Sequence, residues 1–175
     1  MGFFKKFSRD LKQGQLYEEK ARGIFKYEDW GKVDGCFKDY DFWLLVCGKK
    51  TYFEVKSEKL AAITGNLCIE YEYKGKPSGI DATKADYHIH YVLHTDDRTV
   101  KGKIIGEDVY IIPVSKLKKI AEGCRSVISG DGKYSKSYLV NTMLVKKYRC
   151  GPPFKRPVKT IEDGISNTFT NLVMS

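Results

Sequence analysis

The sequence predicts an α/β fold in which helices flank a central mixed β-sheet. Aromatic and β-branched residues concentrate in short runs that are typical of strands. These runs lie at 42–47, 50–56, 67–73 and 87–93. Apolar residues recur at three- and four-residue spacing over 14–25 and 115–122, which predicts amphipathic helices. With 175 residues, of which 42% are hydrophobic, the chain is long enough to bury the core of one domain.

The first helix is predicted over 14–25, because its apolar side chains share one face. They are Leu16, Tyr17, Ala21, Ile24 and Phe25. Residues 3–12 precede it as a separate basic amphipathic segment, whose apolar side we expect to pack on the core. Glu18 lies beside the apolar face. Its simplest role there is an ion pair with Arg22, one turn further along the helix.

The segment from Asp41 to Lys56 is the centre of the chain, and it predicts a β-hairpin. Gly48 marks the turn between the two apolar runs. A loop centred on 48–49 places Asp41 opposite Lys56. Because opposed residues and alternate residues of a strand share a face, the side chains of Asp41, Glu54 and Lys56 converge.

Two carboxylates and an ammonium group gathered at one end of an apolar hairpin are costly unless a partner compensates them. A divalent cation is such a partner. Mg²⁺ takes one or two carboxylates together with water and phosphate oxygens, and a nearby Lys orients water and stabilises negative charge. The arrangement suits phosphodiester hydrolysis. Asp34 and Asp39 compete with Asp41 for the role of first metal carboxylate, and an exposed hairpin with a solvated salt bridge is the non-functional alternative.

An Asp at the mouth of one strand and Glu-x-Lys at the end of the next resembles the PD-(D/E)xK nuclease superfamily, which has the restriction-endonuclease-like fold. The matching residues are Asp41, Glu54, Val55 and Lys56, and Tyr40 stands where many members have Pro. The resemblance implies a metal-dependent DNA endonuclease. Asp41, Glu54 and the Val55 carbonyl would bind Mg²⁺ or Mn²⁺, and Lys56 would activate the attacking water.

The resemblance extends over about 14–145 and is to phage-type or resolvase-like members. Many members carry a Glu on the first helix that reaches the metal. Gly14-x-x-x-Glu18 resembles that arrangement, with Glu19 as the alternative. Further matching segments lie at 66–70, 77–80 and 83–87.

The charge of the chain favours a polyanionic partner. Lys and Arg number 31 against 22 Asp and Glu, the net charge is +9, and 12 Tyr and 9 Phe are interleaved with the basic residues. DNA is the expected partner, RNA is not excluded, and a homodimer is one possible assembly. A non-catalytic nucleic-acid-binding protein on the same scaffold is the alternative function. The expected contacts to nucleic acid are Lys74, Lys76, Ser78, Lys84 and the lysines of 116–119.

The remaining elements are less informative about function. Further strands are expected at 99–105 and 109–114, joined by a turn at 106–108. His88 and His90 share a strand face. Two ligands do not make a zinc site, and we expect partly buried, hydrogen-bonded imidazoles instead.

Cysteine usage and hydropathy indicate the compartment. The five cysteines include no Cys-x-x-Cys pair, so we expect reduced thiols. No apolar run approaches the ~20 residues that span a bilayer. We therefore expect a cytoplasmic protein with no membrane partner. The composition changes after Cys150 to a Pro-rich stretch, which predicts a nuclease-like domain over 1–150 and a C-terminal extension over 151–175.

Overall fold

The computed structural model describes residues 2–32, 39–129 and 134–150, and for 2–10 it describes the backbone alone. Asp34 and the 151–175 extension lie outside these residues. The helices are α1 (Gly2–Arg22), α2 (Leu60–Thr64) and α3 (Val114–Glu122), with 3₁₀ turns at Gly79–Asp81 and Thr142–Tyr148. The strands are β1 (Asp29–Lys32), β2 (Phe42–Val46), β3 (Lys49–Glu58), β4 (Asn66–Tyr73), β5 (Lys76–Pro77), β6 (Tyr87–Thr95), β7 (Ile104–Pro113), β8 (Ser126–Ser129), β9 (Ser135–Asn141) and β10 (Arg149–Cys150).

The larger sheet is mixed and contains six strands in the order β1-β2-β3-β6-β7-β10. Strands β1, β2 and β3 pair antiparallel, β3 and β6 pair parallel, and β6, β7 and β10 pair antiparallel. The prediction of an α/β fold with a central mixed sheet is confirmed. The parallel β3–β6 pair is central, and β6 is buried along most of its length.

A second, antiparallel sheet has the order β5-β4-β9-β8 and was not predicted as a separate layer. Its strands contribute Leu67, Ile69 and Val140 to a core that also contains Ile112 of β7 and Leu117 of α3. The opposite face of the larger sheet packs on α1 through a separate core. That core includes Tyr17, Ala21, Phe25, Phe53, Ile89 and Tyr91.

Two predicted element boundaries are wrong. Helix α1 runs without a break from Gly2 to Arg22, so the 3–12 segment belongs to it, and Phe25 is buried just beyond its end. Strand β7 begins at Ile104 and is continuous through 106–108, so the predicted strand at 99–105 and the predicted turn at 106–108 are both wrong. The reason is the length of β6, which offers pairing partners along β7, including His94 for Gly106.

The β2–β3 hairpin forms as predicted, but its register differs. The turn uses Cys47 and Gly48, both with positive φ (51° and 72°), and the ladder pairs Trp43 with Tyr52. A two-residue turn with φ > 0 at both positions matches the twist of the flanking strands. The predicted pairing of Asp41 with Lys56 is therefore wrong.

Two further sequence expectations concern the cysteine thiols and membrane-spanning helices. Cys47, Cys68, Cys124 and Cys150 are free thiols, and Cys36 lies outside the described residues. Within the described ranges, no helix is both long enough and apolar enough to cross a bilayer.

Candidate functional site

A pocket of about 440 Å³ opens between β3 of the larger sheet and the β4–β5 end of the smaller one. Strand β3 contributes Glu54 and Lys56 to its wall. Both side chains lie on one face because they are two residues apart in a strand. The other lining residues are Asp39, Cys68, Ile69, Glu70, Tyr73, Lys76, Pro77, Ser78, Gly79, Ile80, Ala82, Thr83 and His88.

Asp41 is 5% exposed and does not line this pocket. Its amide N–H donates to the Phe53 carbonyl (2.8 Å), and its Oδ2 accepts from the Val55 N–H (2.6 Å). The β2 ladder ends at Phe42, so the Asp41 carboxylate takes the place of a strand partner for Val55. Asp41 thus holds the backbone of the residue that lies between Glu54 and Lys56.

Glu18 is not brought together with Glu54 and Lys56. Helix α1 packs on the sheet face that carries Phe53, whereas Glu54 belongs to the opposite face. Glu18 and Glu19 line a separate pocket of about 250 Å³ beside β1 and β2.

Asp39, one of the two alternatives to Asp41, lies at the main pocket. Its Oδ2 accepts a 2.8 Å hydrogen bond from Lys84 Nζ, and both side chains are exposed. The hydrogen bond and the negative charge of Asp39 raise the pKa of Lys84.

The residues predicted to contact nucleic acid are divided between several places. Lys76 and Ser78 line the main pocket, and Ser78 Oγ donates to Glu70 Oε1 (2.7 Å). Lys74 Nζ lies 5.3 Å from the centroids of both the Tyr73 and Tyr134 rings. Lys116, Lys118 and Lys119 are on α3, and none of them lines the pocket.

A buried hydrogen-bonded chain leads to the pocket. Glu58 Oε1 accepts from the Cys68 N–H (2.8 Å) and pairs with His90 Nε2 (2.7 Å). His90 Nδ1 in turn pairs with His88 Nε2 at 3.1 Å. Because the carboxylate is an acceptor, His90 Nε2 is the donor in its contact with Glu58. The expectation of hydrogen-bonded imidazoles is confirmed.

The pocket end of this hydrogen-bonded chain is His88, whose Nε2 contacts His90 and whose ring lines the pocket. Burial, followed by the nearby His90 and Lys56, holds the pKa of His88 well below 6.5, so the ring is neutral at pH 7. Sequence reasoning missed Glu58. The alternation of Glu54, Lys56 and Glu58 along β3 was the signal that could have indicated it.

In the described part of the chain, no group of three or more His, Cys, Asp or Glu side chains is arranged to hold a metal ion. Mg²⁺ requires fewer protein ligands, because water and substrate phosphate complete its coordination. Near the Glu54-x-Lys56 segment, Glu54, Asp39 and Glu70 line the pocket, and the Asp41 carboxylate lies beside Val55. Two hard carboxylates with an adjacent carbonyl are a donor set that suits Mg²⁺ or Mn²⁺.

Comparisons with known proteins found no relative. No protein-family model matches the chain, and no curated protein or solved structure is significantly similar to it.

Proposed function

We propose that the protein is a metal-dependent nuclease that hydrolyses phosphodiester bonds in DNA. One observation carries the proposal: Glu54 and Lys56 stand side by side in the wall of a pocket, and the Asp41 carboxylate binds the residue between them. A carboxylate and an ammonium group on one strand face supply the two kinds of charge that phosphoryl transfer needs. The resemblance of Asp41 and Glu54-x-Lys56 to the PD-(D/E)xK motif supports the same conclusion.

Glu54 and Asp41, with the Val55 carbonyl, are the residues that would hold Mg²⁺ or Mn²⁺, and Asp39 is the alternative carboxylate. When bound, such a cation neutralises charge that develops on the phosphate oxygens. Asp41 also has a role that needs no cation. Its hydrogen bond to Val55 restricts the backbone and so orients the neighbouring side chains of Glu54 and Lys56.

Lys56 has the role of positioning water and stabilising negative charge at the phosphate. Its side chain is exposed at the pocket, and its positive charge is one cause of the lowered pKa of His88. A positioned ammonium group is worth more in a partly enclosed pocket than in open water, because the local dielectric constant is lower. Lys76, also in the pocket wall, adds positive charge for the substrate backbone.

A non-catalytic nucleic-acid-binding protein is the second candidate. Two observations favour it: Asp41 lies outside the pocket lining, and Glu18 lies on the other side of the sheet. In that case the basic residues bind phosphate, and the Glu54-x-Lys56 segment has a structural role alone.

The two candidates are separated by cleavage assays on Glu54→Gln and Lys56→Ala. Substrates are supercoiled plasmid and single-stranded, forked and four-way-junction DNA, each with Mg²⁺, Mn²⁺ or EDTA. We expect Glu54→Gln to abolish cleavage and to leave metal-free DNA binding intact or tighter, because one source of phosphate repulsion is removed. We expect Lys56→Ala to lower the cleavage rate by about 10²- to 10⁴-fold with nearly unchanged metal binding.

Lys50→Ala is the matched control, because Lys50 is an exposed lysine on the same strand and lies outside the pocket. Its Nζ is 3.8 Å from the centroid of the Trp43 ring. Cleavage by this variant should equal that of the wild type. Wild-type cleavage by folded Glu54→Gln and Lys56→Ala would reject the nuclease and leave the binding protein.

A further inference from the structure

Two exposed tyrosines and a lysine lie together beside the pocket. Tyr73 is 42% exposed and lines the pocket that contains Glu54 and Lys56, and Tyr134 is 58% exposed. Lys74 Nζ lies over both rings at 5.3 Å from each centroid. We call Tyr73, Lys74 and Tyr134 the aromatic rim.

The backbone holds the aromatic rim in place. Tyr73 and Lys76 are paired across a tight turn whose two central residues, Lys74 and Gly75, have positive φ (52° and 75°). The amide of Lys74 donates to the carbonyl of Tyr134 (2.9 Å). A non-glycine residue in the left-handed region is uncommon, so the turn holds the backbone of Lys74 in one specific conformation.

The exposure of these rings is informative because, in the described part of the chain, every other tyrosine except Tyr27 is buried or in contact with another ring. Tyr17, Tyr91, Tyr110 and Tyr148 are buried in the two cores, and Tyr71 stacks on Tyr138. The rim instead presents apolar ring surface next to basic side chains, a combination that suits a ligand with both flat apolar groups and negative charge.

We propose that the aromatic rim is a stacking platform for unpaired bases, so that the pocket takes single-stranded nucleic acid or the single-stranded part of a branched substrate. This inference rests on the proposed function, since it names the substrate class of the same pocket. Bases in a duplex are stacked on one another and cannot offer their faces to a side chain. Unpaired bases can, while Lys74 and Lys76 meet the phosphates.

The test measures binding without cleavage. Fluorescence anisotropy in EDTA compares a labelled single strand of about 20 nucleotides, as DNA and as RNA, with a blunt duplex of the same sequence at the same salt concentration. We expect Tyr73→Ala and Tyr134→Ala each to weaken single-strand binding by about 5- to 100-fold, the scale of one lost base stack, with duplex binding within about twofold of wild type. Tyr73→Phe, which keeps the ring, should bind as the wild type does.

Tyr27→Ala is the matched control, because Tyr27 is an exposed tyrosine outside this pocket. It should change neither affinity. Equal weakening of single-strand and duplex binding by Tyr73→Ala, or no weakening at all, would overturn the stacking platform, as would a wild-type protein that does not prefer the single strand.

The outcome is separable from that of the proposed function. Single-strand preference that depends on Tyr73, in a protein that cuts nothing with any cation, rejects the nuclease and keeps the platform. Cleavage that depends on Glu54 and Lys56, with no effect of Tyr73→Ala on binding, keeps the nuclease and rejects the platform. The comparison of the DNA strand with the RNA strand decides which of the two the protein prefers.

Discussion

The stability of the fold should fall as the pH drops below about 6.5, because of His88. The side chain is 7% exposed, and its pKa is held well below 6.5 in the folded protein, first by burial and then by His90 and Lys56. In the unfolded chain the same imidazole titrates near 6.5. Below that pH the unfolded state binds a proton that the folded state does not bind. The contribution of His88 to stability is therefore complete above pH 6.5 and is lost progressively as the pH falls towards the folded-state pKa.

The magnitude follows from proton linkage. One proton bound only by the unfolded state changes the free energy of unfolding by at most about 1.4 kcal/mol per pH unit. For an m-value of about 2 kcal/mol/M in urea, one pH unit below 6.5 lowers the urea midpoint by up to about 0.7 M. Buried carboxylates add their own pH dependence at lower pH, so the informative window lies just below 6.5.

Urea unfolding, monitored by circular dichroism at pH 7.5, 6.5 and 5.5, measures the effect. The comparison is with His88→Gln, whose side-chain amide can still form a hydrogen bond with His90 Nδ1 but does not titrate. We expect this variant to lose the dependence of the midpoint between pH 6.5 and 5.5, whatever its absolute stability. His94→Gln is the control, because His94 is an exposed histidine on the same strand whose Nε2 contacts Asp108 at 3.1 Å. It should keep the wild-type slope.

A wild-type midpoint that stays constant between pH 6.5 and 5.5 would refute the assignment of a neutral, buried His88. An identical slope in wild type and His88→Gln would show that other groups cause the pH dependence. Either result would also remove the reason to regard His88 as a neutral side chain at the pocket.

Urea unfolding of variants at Glu58, Gly79 and Gly14 tests other parts of the structure. Glu58→Ala removes the acceptor shared by His90 Nε2 and the Cys68 N–H, so we expect a loss of about 2 to 5 kcal/mol, with Glu58→Gln recovering part of it. A loss under about 1 kcal/mol would mean that water replaces the carboxylate. Gly79→Ala places a methyl group against the β4 backbone at φ +46°, so we expect a loss of more than about 1 kcal/mol. Gly14→Ala, in open space on α1, should instead stabilise by about 0.5 to 1 kcal/mol.

The local elements of the fold were predictable from sequence. The apolar, aromatic-rich runs at 42–47 and 50–56, with Gly48 between them, indicate the hairpin, and the shared face of Glu54 and Lys56 follows from their spacing in any register. The register itself was not predicted correctly. It depends on whether the turn uses Cys47 and Gly48 or Gly48 and Lys49, and a positive φ at Cys47 is uncommon for a residue other than glycine, asparagine or aspartate.

The arrangement of the candidate site was less predictable. Glu18 is beside the apolar face of α1, as its spacing indicates, but the sheet separates it from Glu54. Which face of the sheet a helix covers depends on how the chain crosses between layers, and the helical period carries no information about that. The contact of Asp41 with Val55 replaces the predicted strand pairing. It could not be foreseen either, because it depends on the register of the hairpin.

The sequence by itself determined the class of fold, the hairpin, the common face of Glu54 and Lys56, and a basic composition rich in tyrosine. These properties depend on composition and on spacings of a few residues. The tertiary structure alone decided that a second sheet closes a pocket over β3, and that Glu58, His90 and His88 form one hydrogen-bonded chain. The pairing of β3 with β6 joins segments about 30 residues apart, and such contacts arise from the packing of layers, which local periodicity does not encode.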